Sequence, residues 1–234
     1  MKRLACATIL AAAGFFWSRP ASSGVIIDGF DVAHQVNSTP GPTTSSAPEG
    51  LGGERDLRVF APPVTPAFTA DTNLTAPSVF AYSEPTVLNA IVELEYDGID
   101  GSAFLDATGL GGIDLTADGA DRFVLDVIAA DFAGFMTIFV YSDASNSSAA
   151  QIPFGAGIVS STLFEFPFAT FAPNLGAGAD FTNVGAMEFV IGSVPNSLLE
   201  FRLDSIRTTP EPASGLLLVG GIAALARARS RRRS

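Results

Sequence analysis

The stretch Leu199-Glu200-Phe201-Arg202-Leu203-Asp204-Ser205-Ile206 puts Leu199, Phe201, Leu203 and Ser205 on one face of an extended chain and Glu200, Arg202 and Asp204 on the other. Alternation with a period of two marks a strand buried on one side. Ile206 falls on the charged face, so the pattern predicts that the strand ends there. Working back along the chain, short apolar runs recur at 57–60, 88–96, 122–128, 135–141, 160–166 and 186–191. An opening strand reads in Gly24-Val25-Ile26-Ile27-Asp28-Gly29-Phe30. The runs 122–128 and 136–141 are almost continuously apolar. They predict two central strands covered on both faces, joined by a tight connection through Asp131 and Gly134. Residues 39–53 are rich in Pro, Ser, Thr and Gly without periodicity, and Pro62, Pro63 and Pro66 follow, so a long loop is predicted near 39–66.

About eight short strands, turns rich in Gly, Asp and Pro, and the lack of a long amphipathic pattern predict an all-β, antiparallel β-sandwich of the jelly-roll type. Composition agrees: 23 Gly, 15 Pro and 19 Phe against three Met and a single Lys suit sheets better than a helical bundle. A chain of 234 residues, 47% hydrophobic, can bury one substantial core. Phe171, the run Asp180-Phe181-Thr182-Asn183-Val184-Gly185-Ala186-Met187-Glu188-Phe189-Val190-Ile191 and Leu203-Asp204-Ser205-Ile206 together resemble the closing strands of galactose-binding-like jelly rolls. That resemblance implies a carbohydrate-binding fold.

The ends read as addresses. Met1-Lys2-Arg3, an apolar run to Trp17 and small residues at Ala21-Ser22-Ser23 predict a secretory signal peptide over 1–23. At the other end, Pro210-Glu211-Pro212 breaks the chain, 213–226 is apolar, and Arg227, Arg229, Arg231, Arg232 and Arg233 form a basic stop. In this order, residues 210–234 resemble the PEP-CTERM sorting signal of bacteria. The resemblance implies export across the inner membrane of a Gram-negative-type cell, with the apolar segment as a transient membrane helix. It implies processing by an exosortase-type enzyme that reads Pro210, Glu211 and Pro212, and a final location at the cell surface or in an exopolysaccharide matrix. The apolar segment is 14 residues, shorter than the family's usual span. As a helix it rises about 21 Å, so snorkelling arginines and a thinned bilayer must complete the crossing.

Between the ends, residues 24–209 carry 23 acidic side chains against five arginines, Arg55, Arg58, Arg122, Arg202 and Arg207, a net charge near −18. Such a field excludes nucleic acid and anionic surfaces as partners and leaves neutral glycans and cations. One Cys and one His exclude disulfide scaffolds, Cys/His zinc sites and a Cys-His nucleophile. His34 without a nucleophile elbow reads as a surface residue, and Glu93 and Glu95 read as the solvated edge of a strand rather than a catalytic pair. No enzyme is expected, and no cofactor except calcium. Two acidic, glycine-bearing turns offer oxygens for calcium, Asp97-Gly98-Ile99-Asp100-Gly101 and the stretch holding Asp114, Asp118 and Asp121; the second set is the predicted site. Tyr82, Tyr96 and Tyr141 are the candidate sugar platforms, because Phe is more often core. The sequence thus describes an exported structural or binding component of the envelope, with a non-catalytic carbohydrate-binding module as the alternative.

Overall fold

The computed structural model describes residues 24–37, 43–60, 69–84, 90–194 and 199–210. Fourteen strands run through the described residues. They are β1 (Ile26–Asp28), β2 (His34–Asn37), β3 (Thr43–Ala47), β4 (Arg55–Phe60), β5 (Thr69–Thr72), β6 (Phe80–Ser83), β7 (Ile91–Tyr96), β8 (Arg122–Ala130), β9 (Gly134–Asp143), β10 (Asn146–Phe154), β11 (Thr162–Pro167), β12 (Ala172–Leu175), β13 (Ala186–Ser193) and β14 (Glu200–Thr209). They build two antiparallel sheets. One has the order β11-β8-β14-β6-β5-β2, with β1 also on β14; the other has the order β12-β10-β9-β13-β7-β4-β3. The fold is an all-β sandwich. No helix among the described residues is long and apolar enough to cross a membrane. The predicted signal peptide, Glu211, Pro212, the apolar segment and the arginine tail lie outside the described residues.

The decisive strand β14 departs from its sequence reading at one point. Leu203 pairs with Val127 but Ser205 pairs with Asp126, so one residue is inserted against β8. Such a bulge reverses the facing of everything after it. Ile206, on the charged face by simple alternation, becomes fully buried, and the strand continues to Thr209 with Thr208 also inside. Its extension captures the start of the chain. The Thr208 N–H donates to the Val25 carbonyl at 2.8 Å, and the Val25 N–H donates to the Thr208 hydroxyl at 2.9 Å.

Two further expectations change. The runs at 122–128 and 135–141 are not a hairpin: β8 lies in one sheet and β9 in the other, and Asp131 turns the corner between them. Its carboxylate accepts the Glu200 N–H at 2.6 Å and fixes the corner to β14. The stretch 39–66, predicted as loop, contains β3 and β4. β3 is an edge strand of Thr, Ser and Ala, too polar to show apolar periodicity, and its order comes from pairing with β4.

The core lies between the sheets. Phe123 is fully buried and meets Phe168, Phe171, Phe181 and Phe189 at centroid distances from 5.1 to 6.4 Å, two of the contacts edge to face. Near this aromatic cluster the sheets are joined by a buried cation. Arg55 on β4 is fully buried. Its guanidinium donates to Asp28 Oδ2 at 2.7 Å, Glu49 Oε2 at 2.8 Å and Thr72 Oγ1 at 2.9 Å. The Tyr96 hydroxyl also donates to Asp28 Oδ2 at 2.7 Å. Asp28 and Thr72 belong to one sheet and Arg55 and Tyr96 to the other, so this network spans the sandwich. Removing one member of such a network strands buried charge. Beside it on β2, His34 is buried, not at the surface, and neither ring nitrogen has a hydrogen-bond partner. Burial, then the charge of Arg55, lowers its pKa to about 4.

Arg55→Met is therefore expected to cost about 3–5 kcal/mol in urea unfolding, because Asp28 remains buried without its cation and the partly buried Glu49 loses its partner; a loss below 1 kcal/mol would mean that the network does not join the sheets. His34 is the chain's single histidine, so its imidazole proton resonance is unambiguous. It is expected to titrate near pH 4. Its folded pKa lies below the unfolded value near 6.5, so this group's contribution to stability is full above pH 6.5 and is lost as pH falls towards 4. Titration near 6.5 would place the ring in water.

Candidate functional site

The outer face of the sheet β12-β10-β9-β13-β7-β4-β3 carries a dense set of interacting polar side chains. Alternation sets it up. Along β7, Val92, Leu94 and Tyr96 enter the core, which turns Glu93 and Glu95 outward; along β13, Met187, Phe189 and Ile191 enter, which turns Glu188 outward. In β4, Leu57 and Val59 point inward and Asp56, Arg58 and Phe60 outward. Register then brings them together: Arg58 opposite Glu93, Asp56 opposite Glu95, and Glu188 opposite Glu95.

Glu93 and Glu95 are thus on a central strand between β13 and β4, and both are buried rather than a solvated edge. Arg58 bridges them, with Nη1 3.1 Å from Glu93 Oε1 and Nη2 3.2 Å from Glu95 Oε2. Glu188 accepts a 2.5 Å hydrogen bond from the Tyr141 hydroxyl, and the carboxylates of Glu93, Glu95 and Glu188 each offer an oxygen within 4.8 Å of the others. Farther along the face, Gln151 Nε2 donates to Thr137 Oγ1 at 2.9 Å. Burial pushes the carboxyls of Glu93 and Glu95 well above the usual range; the neighbouring Glu188 adds to the rise at Glu93, and Arg58 opposes it at both. The carboxylates stand side by side on one sheet face. Hydrolysis of a glycoside needs an acid and a partner on opposite sides of the bond, so this geometry provides a hydrogen-bonding strip.

Arg58 also contacts one aromatic ring and anchors the backbone next to another. Its guanidinium lies 5.7 Å from the Phe60 ring centroid, and Nη2 donates to the Ala103 carbonyl at 2.5 Å, tethering the loop that carries Phe104. Phe104 is 83% exposed and Phe60 38%. The five residues of the β7–β8 loop closest to β7 form the acidic turn Asp97-Gly98-Ile99-Asp100-Gly101. Asp97 Oδ2 accepts the Asp106 N–H at 2.7 Å, which folds the loop back on the end of β7.

The residues singled out in the sequence are distributed differently. Tyr82 and Tyr96 are buried in the core and cannot serve as platforms; their rings were needed to fill the sandwich, and their hydroxyls bond Glu84 and Asp28. Tyr141 is half-buried and lies on the polar face. Asp114, Asp118 and Asp121 are not gathered. Asp114 Oδ1 accepts the N–H and hydroxyl of Thr116, Asp118 sits at a φ of 59°, and Asp121 pairs with Arg122 at 2.8 Å. The acid groups close enough to share a cation are elsewhere among the described residues: Glu54, Asp56 and Asp100; Asp56, Glu95 and Asp97; and Glu93, Glu95 and Glu188. Sequence reasoning missed Asp56, Arg58, Phe60, Phe104 and Glu188, because strand pairing and loop return assemble them. Of the sorting residues, Pro210 directly follows β14, and the rest lie outside the described residues. The opposite sheet face has a groove of about 220 Å³ bounded by Asp71, Tyr82, Glu200 and Arg202.

No family model matches the chain, and no curated protein matches it. Among solved structures it is similar to the family 11 carbohydrate-binding module from Clostridium thermocellum in complex with a β-1,3-1,4-mixed-linked tetrasaccharide. That match has 13% identity and a TM-score of 0.39 over 82% of this chain and 98% of that one. It is also similar to TmCBM61 in complex with β-1,4-galactotriose, at 9% identity and a TM-score of 0.33 over 78% of this chain and 90% of that one. A third similarity is to an exo-β-agarase, at 10% identity and a TM-score of 0.37, covering 82% of this chain and 26% of that one. Those ligands belong to those proteins.

Proposed function

We propose that this chain is an exported, surface- or matrix-associated β-sandwich protein that binds a neutral polysaccharide without modifying it. The observation that carries the binding reading is the arrangement around Arg58: it holds a strip of carboxylates, lies 5.7 Å from the Phe60 ring and tethers, through the Ala103 carbonyl, the loop that carries the exposed Phe104. A sugar ring presents an apolar face of C–H groups and a rim of hydroxyls. Exposed phenyl rings suit the first, and fixed carboxylate, guanidinium and amide groups suit the second, since hydroxyls both donate and accept. Pre-formed bonds within the strip reduce the ordering cost of binding. The domain's net charge near −18 selects against uronic-acid or sulfated polymers and favours neutral ones.

The address is read from the ends of the chain. A signal peptide over 1–23 and the PEP-CTERM-like order of Pro210-Glu211-Pro212, apolar segment and arginines support export followed by exosortase processing. β14 ends at Thr209, directly before Pro210. A matrix destination would bring the sheet face to exopolysaccharide.

Affinity electrophoresis of the full chain in gels containing neutral β-glucan or galactan is expected to retard the wild type. Phe104→Ala, at a site too exposed to affect folding, is expected to weaken that retardation about threefold to tenfold, the contribution of one ring contact. Equal mobility with and without every neutral glycan would remove the binding reading. For the address, an internally tagged chain in an exosortase-bearing host is expected to lose the arginine tail, as read by intact mass, whereas the triple variant Pro210→Ala, Glu211→Ala, Pro212→Ala retains it. Retention of the arginine tail by both chains would show that it is not a sorting signal.

A further inference from the structure

Beside the strip, and sharing Glu95 with it, lies a second set of acids with a different problem. Asp56 faces Glu95 across the β4–β7 pairing, and the chain leaves β7 through Asp97. One oxygen from each lies within 4.8 Å of the other two, and Glu54 and Asp100 form an overlapping set with Asp56. Asp56, Glu95 and Asp97 are only 2%, 1% and 1% exposed, and Glu54 is buried too. Some of their oxygens are satisfied: Glu95 Oε2 by Arg58, Asp97 Oδ2 by the Asp106 N–H, and Glu54 Oε2 by the Gly101 N–H at 3.4 Å. The remainder are not. Both oxygens of Asp56, Oε1 of Glu95, Oδ1 of Asp97 and Oε1 of Glu54 are buried with no hydrogen bond of sound geometry. The Ser46 hydroxyl stands opposite Asp56 across the β3–β4 pairing, and Glu95 and Asp97 are close enough to share a proton; burial raises the pKa of Asp56 and Asp97, and these contacts lower it but bring no positive charge. Among the described residues no salt bridge reaches Asp56, Asp97 or Glu54.

Buried carboxylates normally have a counter-charge or full hydrogen bonding, and a converging group of them in which three have no cation is a place where one belongs. We infer that Asp56, Glu95 and Asp97, with Glu54 and Asp100 at the open side, hold one calcium-class divalent cation. The donors are all hard oxygens. A calcium ion accepts six to eight of them at roughly 2.3–2.6 Å, so two ligands of one ion lie within about 5 Å of each other, the spacing found here. The donors come from a strand and a turn on each side, an irregular set that suits calcium's flexible geometry better than the octahedron magnesium requires. Close backbone contact already holds the two turns together: a Cβ on Gly52 would fall 3.1 Å from the Gly98 Cα. The ion would clamp the turn 97–101 onto β4 and so steady the loop that presents Phe104.

The test uses the full chain, stripped with EDTA and dialysed. Thermal unfolding is followed at pH 7 in excess EDTA, calcium or magnesium, and equilibrium dialysis counts bound calcium. Calcium at about a hundred times its Kd is expected to raise the midpoint by roughly 5 °C or more, with one ion per chain, and magnesium is expected to raise it less. Asp56→Asn is expected to abolish the calcium increment while melting no lower than wild type in EDTA, because it removes an unpaired buried charge; Asp114→Asn keeps the increment. An unchanged midpoint with no bound calcium overturns the site. A full increment in Asp56→Asn overturns its location, and equal shifts with magnesium overturn the calcium class. Should Asp56→Asn fail to fold, the wild-type stoichiometry and midpoint decide.

Discussion

The buried guanidinium of Arg55 is the constraint on which the rest of this molecule depends. It is the one side chain in β4 that enters the interior as a charge, and Asp28, Glu49 and Thr72 meet it there. Because strand side chains alternate, fixing Arg55 inward fixes Asp56 and Arg58 outward. A slip of one residue would exchange them. The network therefore does two things with one set of bonds. It ties β1 and β5 of one sheet to β4 and β7 of the other, and it sets the register that brings Arg58 opposite Glu93 and Asp56 opposite Glu95.

From that register the outer face follows. A single arginine collects two glutamates, one phenylalanine ring and the carbonyl of a returning loop. In a domain with 23 acids and five arginines, a cation has many possible partners, and it is the sheet pairing that decides which acids it receives. Acids near Arg58 become hydrogen-bonding groups of fixed direction. Those it does not reach, Asp56 and Asp97, remain buried without a counter-charge. The same strand thus separates a strip suited to hydroxyl groups from a pocket suited to a metal ion.

The sequence revealed the parts of this arrangement that are local. The alternation in 199–206, the apolar runs and the turn-forming composition lead to an antiparallel sandwich, and the structure is one. The residues that decide the site are not local. Asp56 and Glu95 are far apart in the chain and meet only because β4 and β7 are neighbours, and Glu188 joins them from β13. Glu93 and Glu95 looked like a solvated edge because nothing in their own strand tells that two strands flank it. The fate of Ile206 was hidden by a bulge that alternation does not encode. Tyr82 and Tyr96 resembled exposed platforms by residue type alone, yet their rings fill the core and their hydroxyls find buried carboxylates. The acidic turn at 97–101 was visible; its buried partners across the sheet were not.

On the proposed function, ligand sits on the face organised by Arg58 rather than on the opposite face around Arg202. Backbone amide chemical-shift mapping on the isotopically labelled full chain, titrated with a neutral β-linked oligosaccharide that retards it, tests this most directly. Shifts are expected to concentrate at Arg58, Phe60, Glu93, Phe104, Tyr141 and Glu188. Shifts concentrated at Asp71, Ser83, Glu200 and Arg202 instead would contradict the account and assign binding to the other sheet.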